Sequence, residues 1–107
     1  MNVTITNAAD ESLWPIYLYH LEYSQDYADK FQQNLDRFLV DVLGLNPHLG
    51  RPYDPARNIR RVVYEKRYNV YYTIREEVLF VLFVFDGRMT VNQDIEDRGL
   101  DIDSLID

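Results

Sequence analysis

The hydrophobic positions of the chain change period twice, and each change marks a different kind of element. Residues Asn2 to Thr6 alternate polar and apolar, the spacing of a short strand with one buried face. From about Ala8 to Tyr23 the apolar residues move to spacings of three and four, with Leu13, Ile16, Tyr17, His20 and Leu21 forming a helical stripe. Pro15 falls inside that stretch. If Ser12 caps the helix, Pro15 lies in its first turn, where the missing N–H is tolerated; otherwise Ala8 to Trp14 form a separate opening turn. Ser24 is placed to cap a second helix from about Gln25 to Leu45, with Ala28, Phe31, Leu35, Phe38, Leu39 and Val42 along one stripe. Gly44, Asn46 and Pro47 stop it, and the stretch Asn46 to Pro55, dense in turn residues, reads as a loop.

The period then falls to two. Arg57 to Tyr64 predicts a strand with Ile59, Arg61 and Val63 on one face and Arg60, Val62 and Tyr64 on the other. Arg67 to Arg75 sets Tyr68, Val70, Tyr72 and Ile74 against Asn69, Tyr71 and Thr73. Val78 to Phe85 is apolar throughout, as a central strand covered on both faces would be, and Glu76 and Glu77 make the tight turn before it. The expected fold is α+β, in the order β-α-α-β-β-β, with two N-terminal helices packed on one face of a small, mainly antiparallel sheet. Residues 92–107 carry no secure period and read as a short acidic helix or a frayed tail, so the expected division is a domain over 1–91 and an acidic tail over 92–107.

Composition narrows the chemistry. With no cysteine among 107 residues, disulfides, thiol catalysis and cysteine-ligated zinc are excluded. Two isolated histidines, His20 and His48, do not suggest a metal site, and no cofactor motif is present. No basic-then-apolar leader and no apolar run of membrane length occur, so the expectation is a cytoplasmic protein with no membrane partner. The net charge of −7 argues against a surface that clings everywhere to nucleic acid, but the charge is unevenly placed. Residues 1–46 and 92–107 each carry −5, whereas residues 47–91 carry +3. A basic middle stands between two acidic ends.

Several local signatures, in order, resemble the RelE/ParE superfamily of bacterial toxin–antitoxin toxins. They are Ala28-x-x-Phe31 in the second helix, Pro47-His48-Leu49-Gly50-Arg51-Pro52 in the loop, and Ile59-Arg60-Arg61-Val62 opening the first long strand. Arg67-Tyr68-Asn69-Val70-Tyr71-Tyr72 follows, then a last strand running into Phe85-Asp86-Gly87-Arg88. The resemblance implies a toxin neutralised by a cognate antitoxin whose tail wraps it, touching DNA only through that antitoxin. It also implies a target: DNA gyrase for ParE-like members, or messenger RNA in the ribosomal A site for RelE-like members. RNA cleavage of the second kind uses the RNA's own 2′-hydroxyl and needs cations on the phosphate with groups that move protons. Arg60 or Arg61, together with Arg88, match the positions of such arginines in the family. The lysines before the first long strand and the tyrosine or histidine near the C-terminus that accompany them have no counterpart here; the stretch after Arg88 is acidic instead.

The expected function is therefore a ParE-like toxin that works by binding, with gyrase as target. The alternatives are a ribosome-dependent endoribonuclease using Arg60, Arg61 and Arg88, and a non-toxic antitoxin-binding module. The expected partner surface comprises Arg51, Arg57, Arg60, Arg61, Tyr71 and Arg88, suited to an amphipathic helix carrying acidic residues. Most strand tyrosines are expected in the core, with Tyr71 the exception because its strand face is otherwise polar. Asp86 reads as a turn residue, with Gly87 supplying a left-handed conformation. Trp14 either anchors the first helix to the sheet or meets a partner.

Overall fold

The computed structural model describes residues 1–88 and 102–106. Strand β1 (Asn2–Ile5) leads into helix α1 (Asn7–Leu21), and helix α2 (Gln25–Arg37) runs on into a π-helical segment, Phe38–Leu43. Strands β2 (Arg51–Asp54), β3 (Ile59–Tyr64), β4 (Tyr68–Arg75) and β5 (Val78–Asp86) follow, and a short helix α3 (Ile102–Ile106) lies near the end. The sheet order is β1-β5-β4-β3-β2, with β1 parallel to β5 and every other pair antiparallel. The α+β arrangement expected from the pattern is present, with one strand more. The segment expected to be all loop contains β2, whose sequence Arg51-Pro52-Tyr53-Asp54 carries no alternation to reveal it. Of the expected tail, only 102–106 lies within the described residues.

Thr6, not Ser12, caps α1, accepting a hydrogen bond from the Ala9 amide at 3.2 Å. The helix passes through Pro15 without a break because Pro15 faces solvent, where the Glu11 carbonyl that loses its donor can bond water. Ser12 has a different task. Its hydroxyl donates to the Ala9 carbonyl at 2.7 Å and accepts from the Val84 amide at 2.9 Å, close to the β4–β5 irregularity at Tyr71/Tyr72. It ties the helical layer to β5 where the ladder is disturbed.

The second helix departs from expectation for a readable reason. Leu35, Leu39 and Leu43, all fully buried, are spaced by four residues, longer than the 3.6 of an α-helix. The wider π turn, marked by the Gly44 amide bonding the Leu39 carbonyl at 3.0 Å, holds Leu43 in line with the other two. Val42, expected on the stripe, is turned outward instead.

One core lies between the helices and the sheet, from Leu13, Ile16, Phe31, Leu35, Leu39 and Leu43 to Val62, Val70, Tyr72, Leu79, Val81 and Val84. A second, smaller core lies on the far face of the sheet, where Ile59, Tyr71, Leu82 and Phe83 are covered in part by Ile102, Leu105 and Ile106 of α3. Strand β5 contributes to both, as its continuous apolar run predicts. The β3–β4 turn of three residues and the β4–β5 turn of two place Glu65, Lys66, Glu76 and Glu77 in the left-handed region, so both hairpins are tight.

Candidate functional site

The edge formed by β2 and β3 is built on a buried tyrosine. Tyr72 donates its hydroxyl to the Pro47 carbonyl at 2.7 Å and accepts the Gly50 amide at 2.9 Å. Gly50 has room for no side chain, because a Cβ there would stand 2.7 Å from both the Arg61 carbonyl and the Tyr72 hydroxyl. Arg60 closes the same loop from the outside, with Nη2 2.6 Å from the Gly50 carbonyl and 3.4 Å from that of His48. Thus Arg60 is occupied by backbone carbonyls and holds the 47–50 turn against the sheet, which starts β2 in register.

That register sets Arg51 directly across from Arg61. Both are exposed, and among the described residues neither forms an ion pair. They line a cleft of about 400 Å³ with Leu49, Pro52, Tyr53, Val62 and Val63. The Arg61 guanidinium lies 5.6 Å from the centre of the Tyr53 ring. Tyr53 packs edge-on against Tyr71 at 4.9 Å, and Tyr71 meets Phe85 at 6.1 Å, a row of rings along the far face. Two neighbouring guanidiniums beside an aromatic ring and the apolar Leu49 and Val63 suit a carboxylate or phosphate carried on an apolar segment.

Tyr71, expected to be exposed, is 1% exposed. Its polar neighbours on the strand face do not leave it open, because Tyr53 from β2 and Phe85 from β5 close over it. Burial pushes its phenol upward, and the nearby Arg61 and Asn69 oppose that shift. A buried phenol held protonated is a poor proton acceptor at neutral pH. The ring of His48 is not part of the cleft lining.

The remaining arginines lie apart from this pair. Arg57 closes a 3-10 turn on Asp54, 3.6 Å away. Arg75 pairs with Asp103 of α3, linking the end of β4 to that helix. Arg67 grips Asp86 through Nε at 3.1 Å and Nη2 at 2.9 Å, and Arg88 bonds the same carboxylate through Nη2 at 3.0 Å. Asp86 is thereby an anchor for two cations. Gly87 does not take the left-handed conformation expected of it; it is required because a Cβ would stand 2.6 Å from the Arg67 carbonyl. The three arginines considered for phosphate chemistry are therefore not assembled. Arg60 faces the loop, Arg61 faces the cleft beside Tyr71, and Arg88 sits past the end of β5.

A second feature lies on the helical layer and was undecided in the sequence. Trp14 is 60% exposed and stacks on Tyr17, with ring centres 5.7 Å apart and planes 18° apart. The two rings, with Asp10, Leu13 and Gln32, line a cleft of about 310 Å³ between α1 and α2. Among the described residues no group of three histidine, aspartate or glutamate side chains could hold a metal ion.

Residues 3–91 match the family described as the ParE toxin of the type II toxin–antitoxin system, parDE. No curated protein matches the chain. Nine chains of solved structures match it, among them one from the toxin–antitoxin complex RelBE2 of Mycobacterium tuberculosis. That likeness has 17% identity and a TM-score of 0.59, covering 79% of this chain and 95% of the other, and it is a likeness of fold.

Proposed function

The chain belongs to the ParE toxin family of type II toxin–antitoxin systems, and from that membership we propose that it acts by binding, with DNA gyrase as its target and a cognate antitoxin as its restraint. The observation that carries the reading is the Arg51–Arg61 pair at the open sheet edge. It offers two cations that no carboxylate among the described residues holds, beside apolar and aromatic surface, which is what an acidic segment of a protein partner requires. Cleavage of RNA asks for more: several cations converging on one phosphate and a group to take a proton. Arg60 and Arg88 are engaged elsewhere, and the Tyr71 phenol beside Arg61 is buried. The antitoxin reading draws support from the family and from a fold shared with a chain solved in a toxin–antitoxin complex.

The test is expression of the chain alone, with supercoiling by gyrase and protein synthesis measured separately. Supercoiling is expected to fall while translation continues. The double variant Arg51→Ala, Arg61→Ala is expected to relieve growth arrest with the fold intact, since exposed charges contribute under about 1 kcal/mol to stability. Arrest of translation with normal supercoiling would point to the ribosome instead. Normal growth would leave a non-toxic antitoxin-binding module.

A further inference from the structure

Helix α1 is apolar on both sides, although only one side is packed. Its inner face buries Ala9, Leu13 and Ile16 against the sheet. On the outer face Trp14, Leu18 and Leu21, at spacings of four and three, are 60%, 43% and 38% exposed. Helices of soluble domains ordinarily present polar side chains there, and contiguous exposed apolar surface of this kind marks a contact. The three side chains repeat at the spacing by which one helix anchors on another. Beside them, the cleft under Trp14 and Tyr17 opens between α1 and α2.

The surroundings say what covers this face. Residues 1–46 contain seven carboxylates, and among the described residues none of them forms an ion pair. Asp10 lines the cleft, and Asp29 receives the Tyr17 hydroxyl at 3.0 Å. Asp36, bonded by the Gln32 amide at 3.2 Å, is raised above the usual carboxylate range, first by burial and also by the charge of Asp10. Glu11 and Glu22 flank the apolar stripe at its two ends. The apolar surface is therefore rimmed by negative charge that no cation among the described residues neutralises. A symmetric second copy would set the same carboxylates against each other, so it is the wrong occupant. A cation beside Asp10 and Asp36 would relieve their mutual repulsion, and the exposed indole offers it a ring face.

We propose that the outer face of α1, with the cleft it makes against α2, docks a cationic amphipathic helix from a partner protein. Its apolar stripe would cover Trp14, Leu18 and Leu21, and its arginine or lysine side chains would reach the Asp10, Asp29 and Asp36 rim. The surface is separate from the Arg51–Arg61 edge and has the opposite charge preference. It stands or falls independently of the gyrase reading.

Trp14 is the chain's single tryptophan, so its emission reports from the middle of the proposed interface. The probe is a synthetic helical peptide of about 18 residues, long enough to be stably helical on a partner, built from leucine, alanine and arginine without aromatic residues. Added to the purified full chain, it is expected to shift Trp14 emission to the blue saturably, and salt is expected to weaken the binding. Asp10→Asn with Asp36→Asn should weaken it about tenfold, and Leu18→Asp, at an exposed position that leaves the fold intact, should abolish it. The same peptide with glutamate for arginine should not bind. Equal binding of the glutamate peptide, or no loss in the Asp10/Asp36 variant, would overturn the proposal by making charge irrelevant. A blue shift on concentrating the protein alone, with dimers in sedimentation, would overturn it in favour of a second copy.

Discussion

The helical layer and the sheet handle their charges in opposite ways. In the sheet, four of the arginines, Arg57, Arg67, Arg75 and Arg88, hold carboxylates, and Arg60 holds backbone carbonyls. Among the described residues of the sheet, only Arg51 and Arg61 on the β2–β3 edge are without such engagement. In the helical layer, Asp29 and Asp36 accept hydrogen bonds from neutral side chains, and none of the seven carboxylates meets a cation among the described residues. The formal balance of a segment and the charge it offers to a partner are thus different quantities. The arginines of the basic segment are engaged except at one pair, with Lys66 exposed in the β3–β4 turn, while among the described residues the acidic segment meets no cation.

That contrast can be broken most forcefully at Asp86. Replacing it by alanine strands Arg67, half-buried against Tyr68 and Tyr19, and is expected to lower stability by about 2 kcal/mol, the scale of hydrogen bonds to charged groups. Asp29→Ala in the helical layer, measured in the same urea titration, is expected to change stability by less than about 0.5 kcal/mol. Similar losses in both would mean that the helical carboxylates are structural after all. A smaller effect compares two tyrosines. Tyr72→Phe leaves the Gly50 amide and Pro47 carbonyl without their partner inside the fold and should cost about 1 kcal/mol, whereas Tyr17→Phe, at the surface, should cost a few tenths.

The smallest effect lies where the two layers meet. His20 is buried, with Nε2 2.9 Å from the Tyr68 hydroxyl, and burial followed by the charge of Arg67 holds its pKa below the ordinary value of 6.5. Asp86 and Glu65 act in the other direction. Because the unfolded chain takes up the proton more readily, stability is full above pH 6.5 and declines as pH falls below it. Thermal melts of the protein and of His20→Gln between pH 7.5 and 5 should diverge in slope. Parallel curves would show that His20 does not titrate differently in the two states. Tyr68, raised to about 12 chiefly by burial, gives the mirror case: its contribution is present below pH 10 and lost as pH rises toward 12.

Much of this fold is written in the periodicity of the chain. The faces of β3 and β4 and the two-sided burial of β5 follow from alternation and from its absence. The helix stripe was readable up to Leu39, and the four-residue leucine spacing held the clue to the π turn. Strand β2 was hidden because Arg51-Pro-Tyr-Asp54 has no alternation, and its pairing is imposed from outside by Tyr72 and Arg60. The candidate site was legible in kind but not in membership. Composition located the basic segment, yet which arginines are free depends on partners distant in sequence, such as Asp103 for Arg75. Tyr71 illustrates the same limit, since its burial comes from neighbouring strands and not from its own.

Strand β1 has a consequence in time. Its residues 2–5 pair in parallel with residues 78–81, so a strand made early waits for the last strand of the sheet. Until β5 is made, the place between β1 and β4 is empty and both cores lack a wall. A contact that joins the two ends of the domain is slow to close and rewards nothing until it does. The native arginine edge therefore cannot be assembled on a half-made chain, because Tyr72 and the strands behind it have not yet been placed. For a member of a toxin family, this makes potency a property of the finished molecule, and it gives a partner already present the whole period of synthesis in which to be waiting.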